Sequence, residues 1–381
     1  MLSTLLLAST LAFTAFAHPP PPRTRPDPDC ASRTTTHISS AITNTTSTVE
    51  WIYNGTSLDG PKVHPVNSTT FDWWYFDAVS SDLASGDLSS VVINFYTASP
   101  GGFGALSNNK STILETTITG TLSDGTPFGF GKFPADATVV TDGEGSAGVW
   151  GEGGTEWSSS PDLKHWVIKF DDPEDNVSGQ MTLQSVAPPH LPCGAVEAGA
   201  TELLMPHIGW ANAVPDALAQ IDFNLNGTAL SFTGPGYHDK NWGDQPFFDT
   251  VGSWFWGHGH LGPYSIVWFD ARDMFGAEYF SSYVAKDGKI LTGSCSNGTV
   301  IVRPWGGEDA YPPPATAANP DGFIVTFADV EGKELVVNVT SALAAVALEY
   351  VYDRWIGTLA GGFADGTGNW TGVAQYEEFK V

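Results

Sequence analysis

Short runs in which apolar or aromatic residues occupy every second position recur along most of the chain, separated by Gly, Asp, Asn or Ser. This period of two is typical of a β-strand, whereas an amphipathic helix repeats every 3.6 residues. The turns Ser123–Gly125 and Lys286–Gly288 carry the Asp-Gly pair that favours β-hairpins. We therefore predict an all-β protein of many antiparallel strands, with one short helix at Glu202–Trp210 that Pro206 would interrupt. The runs lie at Phe71–Val79, Val91–Thr97, Ser111–Gly120, Trp166–Phe170, Gln180–Val186, Ile221–Phe223, Ser253–His260, Ser265–Asp270, Glu278–Ala285, Gly322–Ala328, Glu334–Val339 and Glu349–Thr358.

These runs are more numerous than the strands of an ordinary open sheet, which rarely exceed about ten. Two β-barrels or sandwiches therefore fit the 381 residues better than one sheet. The run Asp162–Val186 closes a first series of strands, and Ile221 begins a second. We predict an N-terminal β-barrel over residues 30–215 and a C-terminal β-barrel over residues 216–381.

The chain is strongly acidic. It has 16 Lys and Arg against 42 Asp and Glu, a formal net charge of −26, which argues against nucleic acid or an anionic membrane surface as a partner. Apolar residues make up 41% and aromatic residues 12% of the chain, so a disordered protein is excluded. The 42 Gly and 26 Pro disfavour coiled coils and long helical bundles.

Residues 1–17 have the features of a secretory signal peptide, with a largely apolar stretch and the cleavage site Ala15-Phe16-Ala17. A short N-terminal anchor is the alternative, but the stretch is too short to span a bilayer comfortably. Residues 18–29 form a Pro-rich tether. Because no later segment is long and apolar enough, we predict no membrane span and a secreted or secretory-pathway location. Sequons for N-glycosylation agree with this location, at Asn44, Asn54, Asn67, Asn109, Asn176, Asn226, Asn297, Asn338 and Asn369.

The cysteines allow little chemistry. Cys30, Cys193 and Cys295 remain after the predicted cleavage, so at most one intramolecular disulfide can form, and the sequence leaves its pairing open. No Cys-x-x-Cys motif occurs, which excludes a zinc ribbon and a thioredoxin-like site. Packing or one disulfide is the expected role of these residues.

The segment Phe71–Asp77 (FDWWYFD) is aromatic on both faces that a strand presents. Asp72 and Trp74 share one face, while Trp73 and Tyr75 share the other. Such a strand is expected to be buried on both sides, where an acid needs a partner or its pKa rises towards neutrality. Asp72 is therefore a candidate functional carboxyl group, and a structural carboxylate on a core strand is the alternative.

The segment Gly234–Gly243 (GPGYHDKNWG) places five consecutive functional side chains between glycine turns. His238, Asp239 and Lys240 could supply a base, an orienting acid and a cation. The alternative is a polar network that ties two strands together.

The segment Trp254–His260 (WFWGHGH) places Trp256, His258 and His260 on one strand face. Two histidines at this spacing can bind a metal, but no third ligand is suitably spaced, so no metal site is predicted. Asp270 ends the apolar strand that follows and is a candidate buried acid. No Gly-x-Ser-x-Gly elbow occurs in the sequence, and no Gly-rich nucleotide loop leads from a predicted strand into a predicted helix.

The chain carries, in this order, FDWWYFDAVS at 71–80, GYHDKNWG at 236–243, WFWGHGHLGPYSIVWFD at 254–270 and VRPWG at 302–306. Together these segments resemble the fungal Diels-Alderase family, which is related to bacterial carotenoid 1,2-hydratase (hydroxyneurosporene synthase). The resemblance covers most of residues 45–381. It implies two lipocalin-like β-barrels packed together, a substrate pocket near their junction, no cofactor, and a small apolar polyene, polyketide or terpenoid as substrate.

The resemblance also suggests site residues. Asp72 stands where family members with a W-E-x-W-Y-F-D pattern carry a pocket glutamate, and Asn94 and Glu115 lie on the next two strands. Lys240 replaces a histidine of the hydratase branch, which removes a proton shuttle and supplies a fixed cation. We predict polar catalytic groups at Asp72, Asn94, Glu115, His238 and Lys240. The predicted pocket residues are Trp74, Trp242, Trp256, His258, Asp270, Arg354 and Trp355.

The resemblance favours a cofactor-independent pericyclase of fungal secondary metabolism. Such an enzyme folds a polyene, or stacks a quinone methide on a sesquiterpene, and removes much of the entropic barrier to a Diels–Alder or hetero-Diels–Alder reaction. One alternative is an acid-initiated terpenoid hydratase or cyclase in which Asp270 protonates an alkene. Another is a non-catalytic lipocalin-like binder of apolar ligands, and a carbohydrate-cleaving protein ranks last. The sequence leaves the oligomeric state open.

Overall fold

The computed structural model describes residues 33–104, 112–307, 309–314, 316, 318–348 and 351–381. Within these ranges the chain forms β-strands and two 3-10 turns, Leu83–Ser85 and Phe247–Asp249, and no α-helix. The predicted all-β class is confirmed. The predicted signal peptide, the Pro-rich tether, Cys30 and the sequon at Asn109 lie outside the described residues.

The first sheet contains fifteen antiparallel strands and curls into a half-barrel. Its strands are β1 (Thr34–Ser39), β4 (Phe71–Val79), β5 (Ser90–Ala98), β6 (Leu114–Thr121), β7 (Pro127–Lys132), β8 (Asp136–Asp142), β9 (Gly145–Trp150), β10 (Glu156–Ser159), β11 (His165–Asp172), β12 (Val177–Ser185), β13 (His190–Leu191), β14 (Gly194–Ala195), β15 (Leu203–Met205), β16 (Ile208–Leu225) and β17 (Thr228–Gly243). The main path runs β1-β8-β9-β10-β11-β12-β16-β17-β4-β5-β6-β7. Two short strands, β2 (Thr48–Val49) and β3 (Val63–His64), pair separately.

The second sheet contains nine antiparallel strands and is also curled. Its strands are β18 (Val251–Leu261), β19 (Tyr264–Asp273), β20 (Glu278–Lys286), β21 (Lys289–Ser294), β22 (Val300–Trp305), β23 (Gly322–Val330), β24 (Lys333–Leu348), β25 (Tyr352–Phe363) and β26 (Trp370–Lys380). The order is β21-β20-β19-β18-β26-β25-β24-β23-β22. The two predicted Asp-Gly hairpins join β6 to β7 and β20 to β21.

The chain passes from the first sheet to the second between Gly243 and Val251. Residue 215, where the boundary was expected, lies inside β16. The first ten residues of β16 are buried on both faces, and alternate burial begins only at Ala217. The register with β17 shifts around Val214 and Pro215, as expected where a proline interrupts a ladder. The apparent fresh start at Ile221 is therefore a change in burial within one long strand.

The predicted helix at Glu202–Trp210 is wrong. Leu203–Met205 and the start of β16 are antiparallel strands instead, paired Leu203 with Gly209 and Met205 with Ile208. Pro206 and His207 form the turn between them, and His207 adopts a positive φ of 69°. Proline cannot continue a helix, and here its fixed φ serves a tight turn.

Large aromatic side chains divide between three cores. The core inside the first sheet contains Trp74, Trp157 and Trp242, and the core inside the second sheet contains Trp268 and Trp355. A third core lies between the sheets, because it draws on both of them. Its aromatic members include Trp73, Tyr75, Trp210, Tyr237, Trp254, Trp256, Phe269 and Phe379.

A disulfide joins Cys193 to Cys295. Cys193 lies between β13 and β14 of the first sheet, and Cys295 directly follows β21 of the second. The bridge therefore ties the two sheets covalently, and it settles which two of the three cysteines pair.

Candidate active site

A cavity of about 240 Å³ lies between the two sheets. β4 contributes Trp73 and Tyr75 to its wall, and β18 of the other sheet contributes Trp254 and Trp256. The wall is mostly apolar, as expected of a site that holds a small molecule by shape. The other apolar or aromatic residues around it are Tyr96, Phe103, Phe247, Phe248, Phe269, Val346, Leu348, Val351, Tyr352 and Phe379.

A buried carboxyl group, Asp239 on β17, is one of the few polar groups in this wall. Its Oδ2 accepts hydrogen bonds from Trp210 Nε1 and from the Tyr237 hydroxyl, both at 2.8 Å. Its Oδ1 accepts one from Asn241 Nδ2 at 2.8 Å. Burial raises the pKa of Asp239 from 3.8 to about 7, although the bonds from Trp210 and Tyr237 oppose this rise. The group can therefore hold a proton near neutral pH and release it.

A second carboxyl group of the wall, Glu377 on β26, is paired with a cation. Its Oε1 accepts a hydrogen bond from Arg354 Nε at 2.9 Å and another from the Tyr352 hydroxyl. Burial raises the pKa of Glu377, and the Arg354 guanidinium opposes that rise. Arg354 also lies near the Tyr75 ring, 5.4 Å from its centroid. This cluster places a cation at one side of an otherwise aromatic cavity.

Three polar atoms in the wall have no hydrogen-bond partner among the described residues: Asn94 Oδ1, an acceptor, and the donors Trp254 Nε1 and Trp256 Nε1. Asn94 is 4% exposed and Trp254 is 8% exposed. A buried polar group without a partner costs about 1–3 kcal/mol, so such atoms in a cavity wall point to a ligand that satisfies them.

The hydroxyl of the wall residue Tyr75 is hydrogen-bonded to a buried chain of polar side chains that lies behind the wall. Gln375 Nε2 donates to the Tyr75 hydroxyl oxygen at 2.6 Å and to Asp77 Oδ2 at 2.7 Å. His258 Nε2 lies 3.0 Å from the same Asp77 oxygen. The His258 ring stacks on Tyr237, whose hydroxyl bonds to Asp239.

The predicted catalytic residues divide between two faces of the first sheet. Asn94 lines the cavity. Asp72, His238 and Lys240 point to the other face, into the core inside the first sheet. There Lys240 Nζ lies 2.6 Å from Asp72 Oδ1, and His238 Nε2 lies 2.8 Å from an oxygen of Asp59. Glu115 is buried on β6, on the same face as the wall residues Thr117 and Thr119, but outside the lining.

The predicted pocket residues are also divided. Trp256 and Arg354 line the cavity. His258 lies outside the lining, where it contacts Asp77 behind the wall. Trp74 and Trp242 pack in the core inside the first sheet, while Trp355 packs in the core inside the second.

Asp270 is buried inside the second sheet and lies outside the cavity lining. Its Oδ2 lies 2.9 Å from Arg303 Nη1, and its Oδ1 accepts a hydrogen bond from the Tyr311 hydroxyl at 3.0 Å. Burial raises the pKa of Asp270 to about 7.

The sequence reasoning did not select several wall residues, namely Trp73, Tyr75, Trp254, Tyr352 and Glu377, and gave Asp239 only an orienting role. The alternation does contain a signal, since Trp73 and Tyr75 share one face of β4, and Asp239 and Asn241 share one face of β17. Choosing between the two faces requires knowing which one meets the second sheet.

Residues 33–301 match the family model described as Diels-Alderase-like. The chain belongs to the Diels-Alderase-like family. A member from Penicillium thymicola, the quinolone epoxide rearrangement protein penF, is 39% identical over 345 residues, 89% of this chain and 93% of that protein. The quinolone epoxide rearrangement protein asqO of Emericella nidulans is 36% identical, covering 88% and 91% of the two chains. The Diels-Alderase ucsH of an Acremonium species is 26% identical over 68% of this chain and 60% of that protein.

The fold of this family member also matches a solved structure. The crystal structure of CghA with Sch210972 superposes with a TM-score of 0.74 at 15% identity, covering 91% of this chain and 98% of CghA. This agreement confirms the lipocalin-like β fold that the sequence resemblance implied.

No helix among the described residues is long and apolar enough to cross a bilayer. No group of three or more His, Cys, Asp or Glu side chains in the same ranges is arranged to hold a metal ion.

Proposed function

We propose that this chain is an enzyme of fungal secondary metabolism that uses its own side chains to rearrange a quinolone epoxide in the cavity between the sheets. The observation that carries the proposal is the buried Asp239 carboxyl group, whose pKa is raised to about 7 within an aromatic wall. The two relatives named as quinolone epoxide rearrangement proteins support the choice of substrate.

Rearrangement of the epoxide requires an acid and a pocket that stabilises a transient positive charge on carbon. Asp239 gives its proton to the epoxide oxygen, and one C–O bond breaks with its electron pair going to oxygen. A neighbouring group then migrates with its electrons to the carbon that carries the positive charge. The hydroxyl proton returns to the Asp239 carboxylate as a carbonyl forms, so the product is an isomer of the substrate. The faces of Trp73, Trp254 and Trp256 stabilise the transient cation.

The unpartnered polar atoms of the wall suit a quinolone. Its ring amide presents one N–H donor and one C=O acceptor. Asn94 Oδ1 would accept the first and Trp254 Nε1 would donate to the second. Binding the ring amide in this way orients the epoxide relative to Asp239.

The test is to incubate the purified protein with a quinolone epoxide and separate the products by chromatography with mass detection. We expect an isomer of unchanged mass. A product heavier than the substrate by the mass of one water would instead support the hydratase alternative. Asp239→Asn should abolish turnover, whereas Asp222→Asn, an exposed carboxyl on β16, should leave it unchanged. No rate difference from the uncatalysed reaction would contradict the proposal.

The second candidate is a Diels–Alder or hetero-Diels–Alder cycloaddition. The aromatic wall and its hydrogen-bonding groups favour it, because a folded polyene needs shape, and a dienophile carbonyl needs a donor. The relatives named Diels-Alderase support it as well. A linear polyene, or a quinone methide with an alkene, is the substrate to assay. Loss of product on EDTA treatment would contradict the metal-free mechanism.

We also propose that the chain is N-glycosylated in the secretory pathway. The apolar segment at 1–17 supports this, as does the disulfide between Cys193 and Cys295, since such bonds persist in oxidising compartments. Most described sequon residues are exposed: Asn44, Asn54, Asn176, Asn226, Asn297, Asn338 and Asn369. Asn67 is half-buried. Treatment of protein from the native host with an N-glycosidase should lower its mass, and an unchanged mass would contradict the proposal.

A further inference from the structure

We infer that the Tyr75 hydroxyl donates a hydrogen bond to the reacting oxygen of the substrate, and that Gln375 and Asp77 fix the direction of this bond. The inference adds a second polar group to the acid Asp239 and rests on the proposed function for the identity of that oxygen. The direction of the Tyr75 O–H bond follows from the contacts among Tyr75, Gln375 and Asp77 alone.

Asp77 determines how the Gln375 amide is turned. Gln375 Nε2 lies 2.7 Å from Asp77 Oδ2. The opposite orientation would bring the amide oxygen against a carboxylate oxygen, and two acceptors repel each other. His258 Nε2, at 3.0 Å from the same Asp77 oxygen, holds the carboxylate in place.

The orientation of Gln375 then determines what the Tyr75 hydroxyl can do. An amide nitrogen only donates, so the bond of 2.6 Å from Gln375 Nε2 uses a lone pair of the Tyr75 oxygen. The phenolic proton is left over, and no described residue accepts it. Because Tyr75 lines the cavity and is only 6% exposed, a bound substrate is the partner in reach.

The neighbouring tyrosines differ in this respect. The Tyr237 hydroxyl donates to Asp239 Oδ2 at 2.8 Å, and the Tyr352 hydroxyl donates to Glu377 Oε1. Both of these protons are donated to carboxyl groups. Of these three hydroxyl groups, that of Tyr75 is therefore the one whose proton remains to be donated into the cavity.

The chemistry of this hydroxyl is that of a hydrogen-bond donor. Burial raises the pKa of Tyr75 well above its ordinary value, so the group stays protonated across any practical assay range. Tyr75 would stabilise negative charge as it develops on the epoxide oxygen, while Asp239 transfers the proton. A fixed donor aimed at such an oxygen is worth about 10²–10³ in kcat.

Kinetics provide the first test. Tyr75→Phe should lower kcat on the quinolone epoxide by about 10²–10³-fold with little change in KM. The matched control is Tyr376→Phe, which removes a hydroxyl that donates to Ser341 away from the cavity and should leave kcat unchanged. A Tyr75→Phe variant with kcat within threefold of the parent would overturn the inference.

The positioning role of Gln375 needs a separate variant. Gln375→Glu keeps the size of the side chain, but the new carboxylate accepts the phenolic proton and turns it away from the substrate. We expect kcat to fall as far as in Tyr75→Phe, with KM little changed. A purely structural role predicts that the preserved hydrogen bond preserves kcat, and that result would overturn the role of Gln375.

Neutron diffraction from crystals grown in D₂O measures the direction without any substrate. The deuteron on the Tyr75 oxygen should point into the cavity, with both Gln375 deuterons on the nitrogen that faces Asp77. A Tyr75 deuteron directed at Gln375 would overturn the inference whatever the enzyme turns over. If the deuteron points into the cavity and quinolone epoxides are not substrates, the proposed function alone fails.

Discussion

Lys240 and Asp72 form an ion pair at 2.6 Å with both side chains about 1% exposed, inside the first sheet and away from the cavity. Lys240 Nζ also lies 3.2 Å from the centroid of a Trp74 ring. Burial lowers the pKa of Lys240 and raises that of Asp72, and each partner opposes the effect on the other. The pair is therefore held by mutual neutralisation in a site with little access to water.

Removing one partner of this pair should destabilise the fold. We expect Lys240→Met to lower the free energy of unfolding by about 3–5 kcal/mol, because it leaves the Asp72 carboxylate buried without its cation. The double variant Lys240→Met with Asp72→Asn should recover part of this loss. Urea denaturation measures both. The exposed pair of Lys164 and Asp162 is the control, and Lys164→Met should cost less than about 1 kcal/mol.

The same variant tests the catalytic role that the sequence suggested for Lys240. The folded fraction of Lys240→Met should keep its kcat, since Lys240 lies outside the cavity wall. A kcat reduced by tenfold or more in fully folded protein would restore Lys240 as a catalytic candidate.

Activity should depend on pH through Asp239. The carboxyl group must be protonated to act as an acid, and burial raises its pKa to about 7. We expect kcat/KM to be constant at lower pH and to fall as the pH rises through about 7. The pH–rate profile measures this, and a rate that rises through the same range would contradict an acid role.

The stability of the fold should also depend on pH through Asp239. The folded pKa of Asp239, about 7, exceeds the ordinary 3.8 expected for the unfolded chain. Its contribution to folding is therefore fully present below pH 3.8 and is lost as the pH rises through about 7. The melting temperature of Asp239→Asn minus that of the parent should increase as the pH rises from 4 to 8. Equal pH dependence of the two proteins would contradict this assignment.

The disulfide should contribute substantially to stability. It closes a sequence separation of 102 residues between the two sheets, and long closed loops restrict the unfolded chain most. We expect Cys193→Ala with Cys295→Ala to lower the free energy of unfolding by about 2–5 kcal/mol. Thermal unfolding of the parent with and without reductant offers an independent measurement. A double variant as stable as the parent would contradict the expectation.

The two kinds of buried tryptophan should respond differently to loss of the indole N–H. Trp254 Nε1 has no partner among the described residues, so Trp254→Phe should cost little stability and weaken substrate binding about tenfold. Trp157 Nε1 donates to Ser146 at 2.8 Å inside the first sheet. Trp157→Phe should instead lower the melting temperature and leave KM unchanged. Calorimetry and steady-state kinetics on both variants separate the two effects.

The sequence predicted the fold well because a period of two is a local property. The helix prediction at Glu202–Trp210 was wrong because a short apolar stretch around Pro206 was interpreted as a helix. The boundary near residue 215 reflects another local signal, since burial on both faces gives way to alternation at Ala217. Neither case could be resolved from neighbouring residues, because pairing with distant strands decides both.

The site was harder to predict, since it depends on which face of a strand meets the other sheet. All nine residues of β4 are buried, so Asp72 and Trp74 look as suitable as Trp73 and Tyr75. Glu377 lies far along the chain from Asp239, and only the packing of the sheets brings both to one cavity. The motifs located the correct strands, but not the correct side of them.

The cavity lies at the seam, by which we mean the contact region between the two sheets. This position separates ligand binding from stabilisation of the scaffold. The aromatic clusters inside each sheet stabilise the scaffold, while each strand around the cavity contributes only one or two side chains to its wall. Such an arrangement lets substitutions accumulate at the seam one position at a time without loosening either scaffold. A lineage with this architecture can therefore diversify its substrates while its framework stays fixed.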